Sequence, residues 1–219
     1  RLESATEQFR IQRLAGLEAF RSHRWTDAHV AFQAANDAAQ TSGRGDHQSR
    51  EVEQLLHESR ACSKLSGTSL FSALKDAADA VNGPLPSRLE VRLGRGWLIF
   101  DTTVRLADPS PGGRSKFVID FPLSVADHSL QLETSAPALE KLALHAGAQR
   151  TVFAAQVDGS HLQADTKTWL IHLNSDSLFL WSDAGALHEL GMMGDDPAVD
   201  REIQHVLQRQ FRLLELDGK

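Results

Sequence analysis

Apolar residues recur along this chain with two different periods, and the change of period divides it. From residue 3 to about 81 they return every three or four positions, the spacing of one face of a helix. Residues 3–22 predict a first helix, in which Ala5, Phe9, Gly16, Ala19 and Phe20 share a face with Ile11 and Ala15 beside it. Trp25-Thr26-Asp27 marks a turn, and Thr26 is the expected N-cap of an Ala-rich helix over about 27–40, ended by Gly43 and Gly45. Val52, Leu55, Leu56, Ser59 and Cys62 predict a third helix over about 47–65. Leu70, Leu74, Ala77, Ala78 and Val81 predict a fourth, over about 69–81, stopped by Asn82-Gly83-Pro84.

Pro84-Leu85-Pro86 reads as a short stiff linker, and beyond it the period falls to two. Residues 88–93 (RLEVRL) and 97–106 (WLIFDTTVRL), joined through Gly94-Arg95-Gly96, predict a hairpin. Residues 108–113 form a Pro/Gly loop, 116–121 a strand closed by Pro122, 129–133 another strand, and 137–145 a short helix. The stretch 151–181 holds the densest run of strand formers, broken by Asp158-Gly159-Ser160 and Asn174-Ser175-Asp176. Asp195-Asp196-Pro197 caps a closing helix whose Ile203, Val206 and Leu207 are expected to pack on the sheet. The expectation is therefore an α+β chain. Residues 1–83 form a helical module of about four helices. Residues 84–219 form an antiparallel β-rich domain, a partly closed barrel or curved sheet with a short helix and a terminal helix.

Gly16, Ala28, Phe32 and Ala35 stand at the spacing of the small and aromatic signature positions of tetratricopeptide repeats. Over about residues 9–40 the chain resembles that family. The third and fourth helices suit a second pair by length but lack the signature. The β half is similar in element order to an oligonucleotide/oligosaccharide-binding barrel, with a helix between its third and fourth strands.

In tetratricopeptide repeats the first helix of each pair lines a concave groove. Carried over by Gly16, the groove positions fall on Arg10, Arg13, Leu17, Phe20 and Arg21. The wheel itself gathers Arg10, Arg13, Arg21 and Arg24 into one stripe about 80° wide at roughly 100° per residue. The expected partner is an acidic or C-terminal peptide segment, gripped by guanidinium groups beside Leu17. The plainer reading of the stripe is a solvated face balanced by Glu7 and Glu18.

Composition removes several classes. Net charge is −6, and neither half carries the basic surplus that phosphate backbones demand. Cys62 is the one cysteine, which excludes an internal disulfide and reads as a packed thiol. No apolar run is long enough to span a membrane. The chain opens on Arg1 in a helical pattern, so a processed piece is expected, cytoplasmic or exported. No GxSxG, Walker, HExxH or dinucleotide motif occurs, so no catalytic residue, cofactor or metal is assigned. His161, Asp165 and His172 are the nearest approach to a metal cluster, but strand parity does not force the two histidines to one face. Trp97, Trp169 and Trp181 would stack on sugars or bases if they formed an exposed row, and read better as core. The expected function is a non-catalytic scaffold or protein-interaction protein. The alternative is a saccharide- or nucleic-acid-binding β domain with accessory helices.

Overall fold

The computed structural model describes residues 2–79, 89, 93, 95–107, 115–125, 128–143, 147–163 and 165–215. Its elements in chain order are α1 (Leu2–Arg21), α2 (Trp25–Ser42), α3 (His47–Ser63), α4 (Leu70–Asp79), β1 (Leu98–Leu106), β2 (Phe117–Val125), β3 (His128–Thr134), α5 (Pro137–Ala143), β4 (Gln149–Ala155), β5 (Val157–Gln163), β6 (Thr168–Leu173), β7 (Phe179–Leu180), α6 (Ala184–Glu189) and α7 (Pro197–Glu215). This is an α+β chain. No described helix is long and apolar enough to cross a membrane.

The chain divides into two compact units that do not follow its sequence halves. A helical unit joins Arg1–Lys64 to Trp181–Lys219, and a sheet unit comprises Leu65–Leu180. The linker expected at Pro84-Leu85-Pro86 and the loop at 108–113 lie outside the described residues. The period of the sequence changes near residue 84, but packing assigns α4 to the sheet unit and returns α6 and α7 to the helices.

In the helical unit, α1 and α2 meet through the smallest side chain available. A Cβ on Gly16 would stand 2.6 Å from the Phe32 ring, so only glycine admits that ring. Ala28, Phe32 and Ala35 are wholly buried along the same seam. Thr26 does not cap α2, which begins at Trp25, with Arg24 at the cap making no side-chain capping bond. Gly43 ends the helix in the left-handed region at φ 67°, where its N–H and that of Arg44 reach the carbonyls of Gln40 and Ala39. Asp46 caps α3 by accepting from the Ser49 N–H. Ile203, Val206, Leu207 and Gln210 form the buried stripe of α7, which packs with α3.

In the sheet unit seven strands take the order β5-β6-β3-β2-β1-β4-β7. The order is open, so the expected barrel is not formed by the described pairings. Nor is the sheet wholly antiparallel, because β3 and β6 run parallel, with Leu132 beside Ile171. Only Gln156 separates β4 from β5, which lie far apart in that order. One residue spans about 3.8 Å, so the sheet must curve strongly to bring those positions together. Most of the first strand of the hairpin expected at 88–106 lies outside the described residues. Leu89 and Leu93 are helical and buried, while β1 pairs with β2 and β4. Their i,i+4 spacing serves a helix as well as RLEVRL serves a strand. Strand β2 passes through Pro122 instead of ending there, and its register shifts between Phe121 and Ser124 to accommodate a residue without a backbone donor. Asp158-Gly159-Ser160 lies inside β5, again with a register shift. Phe100 stacks on Phe153, and Trp97 meets Phe179 edge-on, within a core that includes Ile119, Leu132 and Ile171.

Candidate functional site

Two tight reversals, at residues 22–24 and 43–46, return α3 to the direction of α1 within the helical unit. Arg13 of α1 then reaches Glu51 of α3, with its Nη2 and Nε 2.6 and 3.1 Å from one carboxylate oxygen. Beyond this bridge the helices and the C-terminal segment leave an open cleft of about 210 Å³. Leu17 and Phe20 of α1, Leu55 of α3, and Phe211 and Leu214 of α7 supply its apolar lining. Arg21, His47, Arg50, Gln54, Ser182 and Asp183 supply its polar groups, beside Glu51.

Arg21 and Arg50 formally balance Glu51 and Asp183 in the lining, but both carboxylates are already engaged. Glu51 is engaged by Arg13. The Asp183 carboxylate accepts the Ala186 N–H and caps α6. Arg21 is exposed and makes no ion pair among the described residues. Arg50 donates from Nη1 to the Gly45 carbonyl, but its Nε is buried without a hydrogen-bond partner. Two guanidinium groups therefore border an apolar cleft with donors to spare, an arrangement suited to a carboxylate carried on an apolar body.

A buried carboxyl stands behind the cleft. Glu58 is fully buried on α3. Its Oε1 accepts from Gln54 Nε2, the Ser182 N–H and Ser182 Oγ, each at 2.7 Å, while Oε2 has no partner. Burial drives its pKa up to about 7, against the lowering effect of the Gln54 and Ser182 hydrogen bonds, and the Asp183 charge adds to the rise. The segment bearing Ser182 is fixed from both sides. Gln210 of α7 donates to the Trp181 carbonyl at 2.6 Å, and the Trp181 indole donates to the Asp183 carbonyl at 2.8 Å. One turn beyond Glu58, burial pushes the Cys62 thiol up to about 12, with help from the Glu58 and Asp183 charges. Cys62 is a protonated, buried thiol.

The five groove positions from the sequence divide between the cleft and its surroundings. Leu17, Phe20 and Arg21 line it. Arg13 lies beside it in the bridge to Glu51. Arg10 is exposed and held by Glu7 through contacts of 2.6 and 2.9 Å. Phe20 is itself buried, edge-on to Trp25 and Phe32. Arg50, Gln54, Glu58, Ser182 and Phe211 escaped the sequence reading, since their meeting depends on residues more than a hundred positions apart.

In the sheet unit Trp97 is buried and Trp169 half-buried, and Trp181 in the helical unit is buried, so these three make no exposed aromatic row. His161 and His172 do meet, with ring nitrogens 3.0 Å apart. Asp165 stands exposed in the β5–β6 turn. No group of three or more His, Cys, Asp or Glu side chains arranged to hold a metal occurs among the described residues. No protein-family model, curated protein or solved structure matches the chain.

Proposed function

We propose that the protein is a non-catalytic interaction module whose helical unit holds an acidic peptide segment bearing an apolar side chain. One observation carries this reading: Arg21 and Arg50 border an apolar cleft with unspent hydrogen-bonding capacity. A carboxylate from the peptide would take the guanidinium donors, while an adjacent apolar side chain would enter between Leu17, Leu55 and Phe211. The tetratricopeptide-like reading of the first two helices points the same way, and the Gly16–Phe32 contact supports it. Arg13, engaged by Glu51, serves to set the spacing of α1 and α3, and Arg10 lies at the margin.

The test is a peptide array probed with the full chain. Acidic sequences with an apolar residue should be enriched over neutral and basic ones. Arg21→Ala and Arg50→Ala should each weaken the best peptide about tenfold, the cost of a charge-assisted hydrogen bond. The loss should shrink as salt rises. An array on which basic or neutral peptides bind equally well would remove the proposal.

A second reading, a ligand-binding sheet unit, draws on the position of α5 between β3 and β4. It is weakened by the burial of Trp97 and by the acidic balance of the chain.

A further inference from the structure

The sheet unit carries a polar chain that the helical cleft does not explain. Strand register places Glu133 of β3 beside His172 of β6, and Gly159 of β5 opposite the same histidine. Residues two apart on a strand share a face, so His161 stands diagonal to His172. Gly159 leaves open space where a side chain would stand, which keeps that diagonal clear. His172 Nε2 lies 3.0 Å from His161 Nδ1, with the rings 25° from parallel. On its other side His172 Nδ1 lies 2.7 Å from Glu133 Oε1, and Lys116 holds the second oxygen of that carboxylate. Glu133 is buried, whereas His161 is exposed.

This arrangement dictates where the protons sit in the neutral pair. A carboxylate at Nδ1 keeps a hydrogen there, so His172 Nε2 carries a bare lone pair. The hydrogen between the rings then belongs to His161 Nδ1, which donates to His172 Nε2. When His161 takes its other tautomer, with the hydrogen on Nε2, His161 Nδ1 and His172 Nε2 both present lone pairs beside a common point at the surface. Two nitrogens 3.0 Å apart, each about 2.05 Å from an ion, subtend roughly 94° there. A tetrahedral site needs a wider angle, while a near-right angle is that of neighbouring ligands in tetragonal N,O coordination.

We propose that His161 and His172 form a surface site for one divalent copper or nickel ion. The ion is bound through His161 Nδ1 and His172 Nε2, with Glu133 orienting His172. As the ion binds, the Nδ1 proton of neutral His161 passes to water while its Nε2 takes one up, so the imidazole stays neutral with no net proton release, and water completes the coordination. The exposed His161 ring tilts in place to direct its lone pair at the ion, with Nδ1 kept near its 3.0 Å separation from His172 Nε2. Two imidazoles are the protein's whole share of the ligand set, and copper outranks nickel and zinc at such a site.

The full chain is titrated with CuCl2, NiCl2 and ZnCl2 in turn, and the copper form is read by electron paramagnetic resonance. The parent should bind one copper most tightly, with hyperfine structure from two nitrogens. His161→Ala and His172→Ala should each weaken that first equivalent at least about tenfold and leave one-nitrogen or nitrogen-free spectra. Glu133→Gln should weaken it by about tenfold, the low end of the range for an outer-shell partner. Thermal melts of the metal-free variants establish that they fold. His161 is exposed, so its variant keeps the test valid even if Glu133→Gln unfolds. First-equivalent binding unchanged in His161→Ala overturns the proposal. So does a zinc affinity equal to or above that of copper, which would contradict the right-angle geometry.

Discussion

Gly16 and Glu58 show opposite ways in which one residue governs the helical unit. At Gly16, alanine would raise helix propensity by about 1 kcal/mol. Its Cβ, however, would stand 2.6 Å from the ring of the fully buried Phe32. Overpacking of this kind costs about 1–3 kcal/mol, so the clash outweighs the propensity. Gly16→Ala should therefore lower the melting temperature, and Phe32→Leu in the same chain should recover part of the loss. A melting point above the parent's would show that α1 and α2 separate without cost. Glu58 acts through its proton. Its folded pKa of about 7 lies above the ordinary carboxyl value, so the folded state holds a proton that the unfolded state releases. Stability is fully present below the ordinary carboxyl range and falls as pH rises through about 7. The slope in that window reaches about 1.4 kcal/mol per pH unit. Glu58→Gln should flatten this window in denaturant titrations followed across pH, and parallel curves for the two proteins would refute the assignment.

At the scale of elements, α7 separates packing from recognition. Ile203, Val206 and Leu207 are buried, whereas Phe211, one turn further on, is 44% exposed at the cleft. Ile203→Ala and Leu207→Ala should each cost about 2–5 kcal/mol in chemical denaturation. Phe211→Ala should leave the denaturation midpoint nearly unchanged yet weaken capture of an acidic peptide. If Phe211→Ala destabilises as much as Leu207→Ala, the side chain belongs to the core and not to the cleft. The sequence made α7 legible because its apolar residues recur at helical spacing over five turns. Leu89 and Leu93, expected in a strand, are helical, because their i,i+4 spacing satisfies the helical period as well as the alternation of RLEVRL satisfies the strand one. The sequence misread Asp158-Gly159-Ser160 because turn formers also occupy strand irregularities, which here let β5 keep its pairing with β6. The parallel partnership of β3 and β6 left no local trace, since it joins strands more than thirty residues apart.

For the whole molecule, the decisive fact is that the helical unit is built from both ends of the described chain and the sheet unit from its middle. Periodicity along a chain reports what each segment is, not which segments meet, so a boundary at residue 84 was the natural reading. The same limit hid the cleft: Leu17, Phe20 and Arg21 were identifiable from their helix, but the residues facing them were not. Excised residues 65–180 should fold with a cooperative thermal transition by circular dichroism. A fragment of residues 84–219 should not, because it lacks α4 and carries α7 without α3. Cooperative melting of the second fragment alone would restore the sequence-based boundary.

The split also sets an order in time. As the chain emerges during synthesis, α1–α3 appear before the sheet unit, but the segment that completes their unit follows the whole of residues 65–180. The sheet unit can close as soon as its own last strand is out. The helices must meanwhile keep Leu55, buried in the finished protein, without Phe211 and Leu214 beside it. Incomplete folds that expose such surface are the ones that aggregate or engage chaperones. The helices made before the sheet unit thus mature after it, and any delay in making residues 65–180 prolongs their vulnerability.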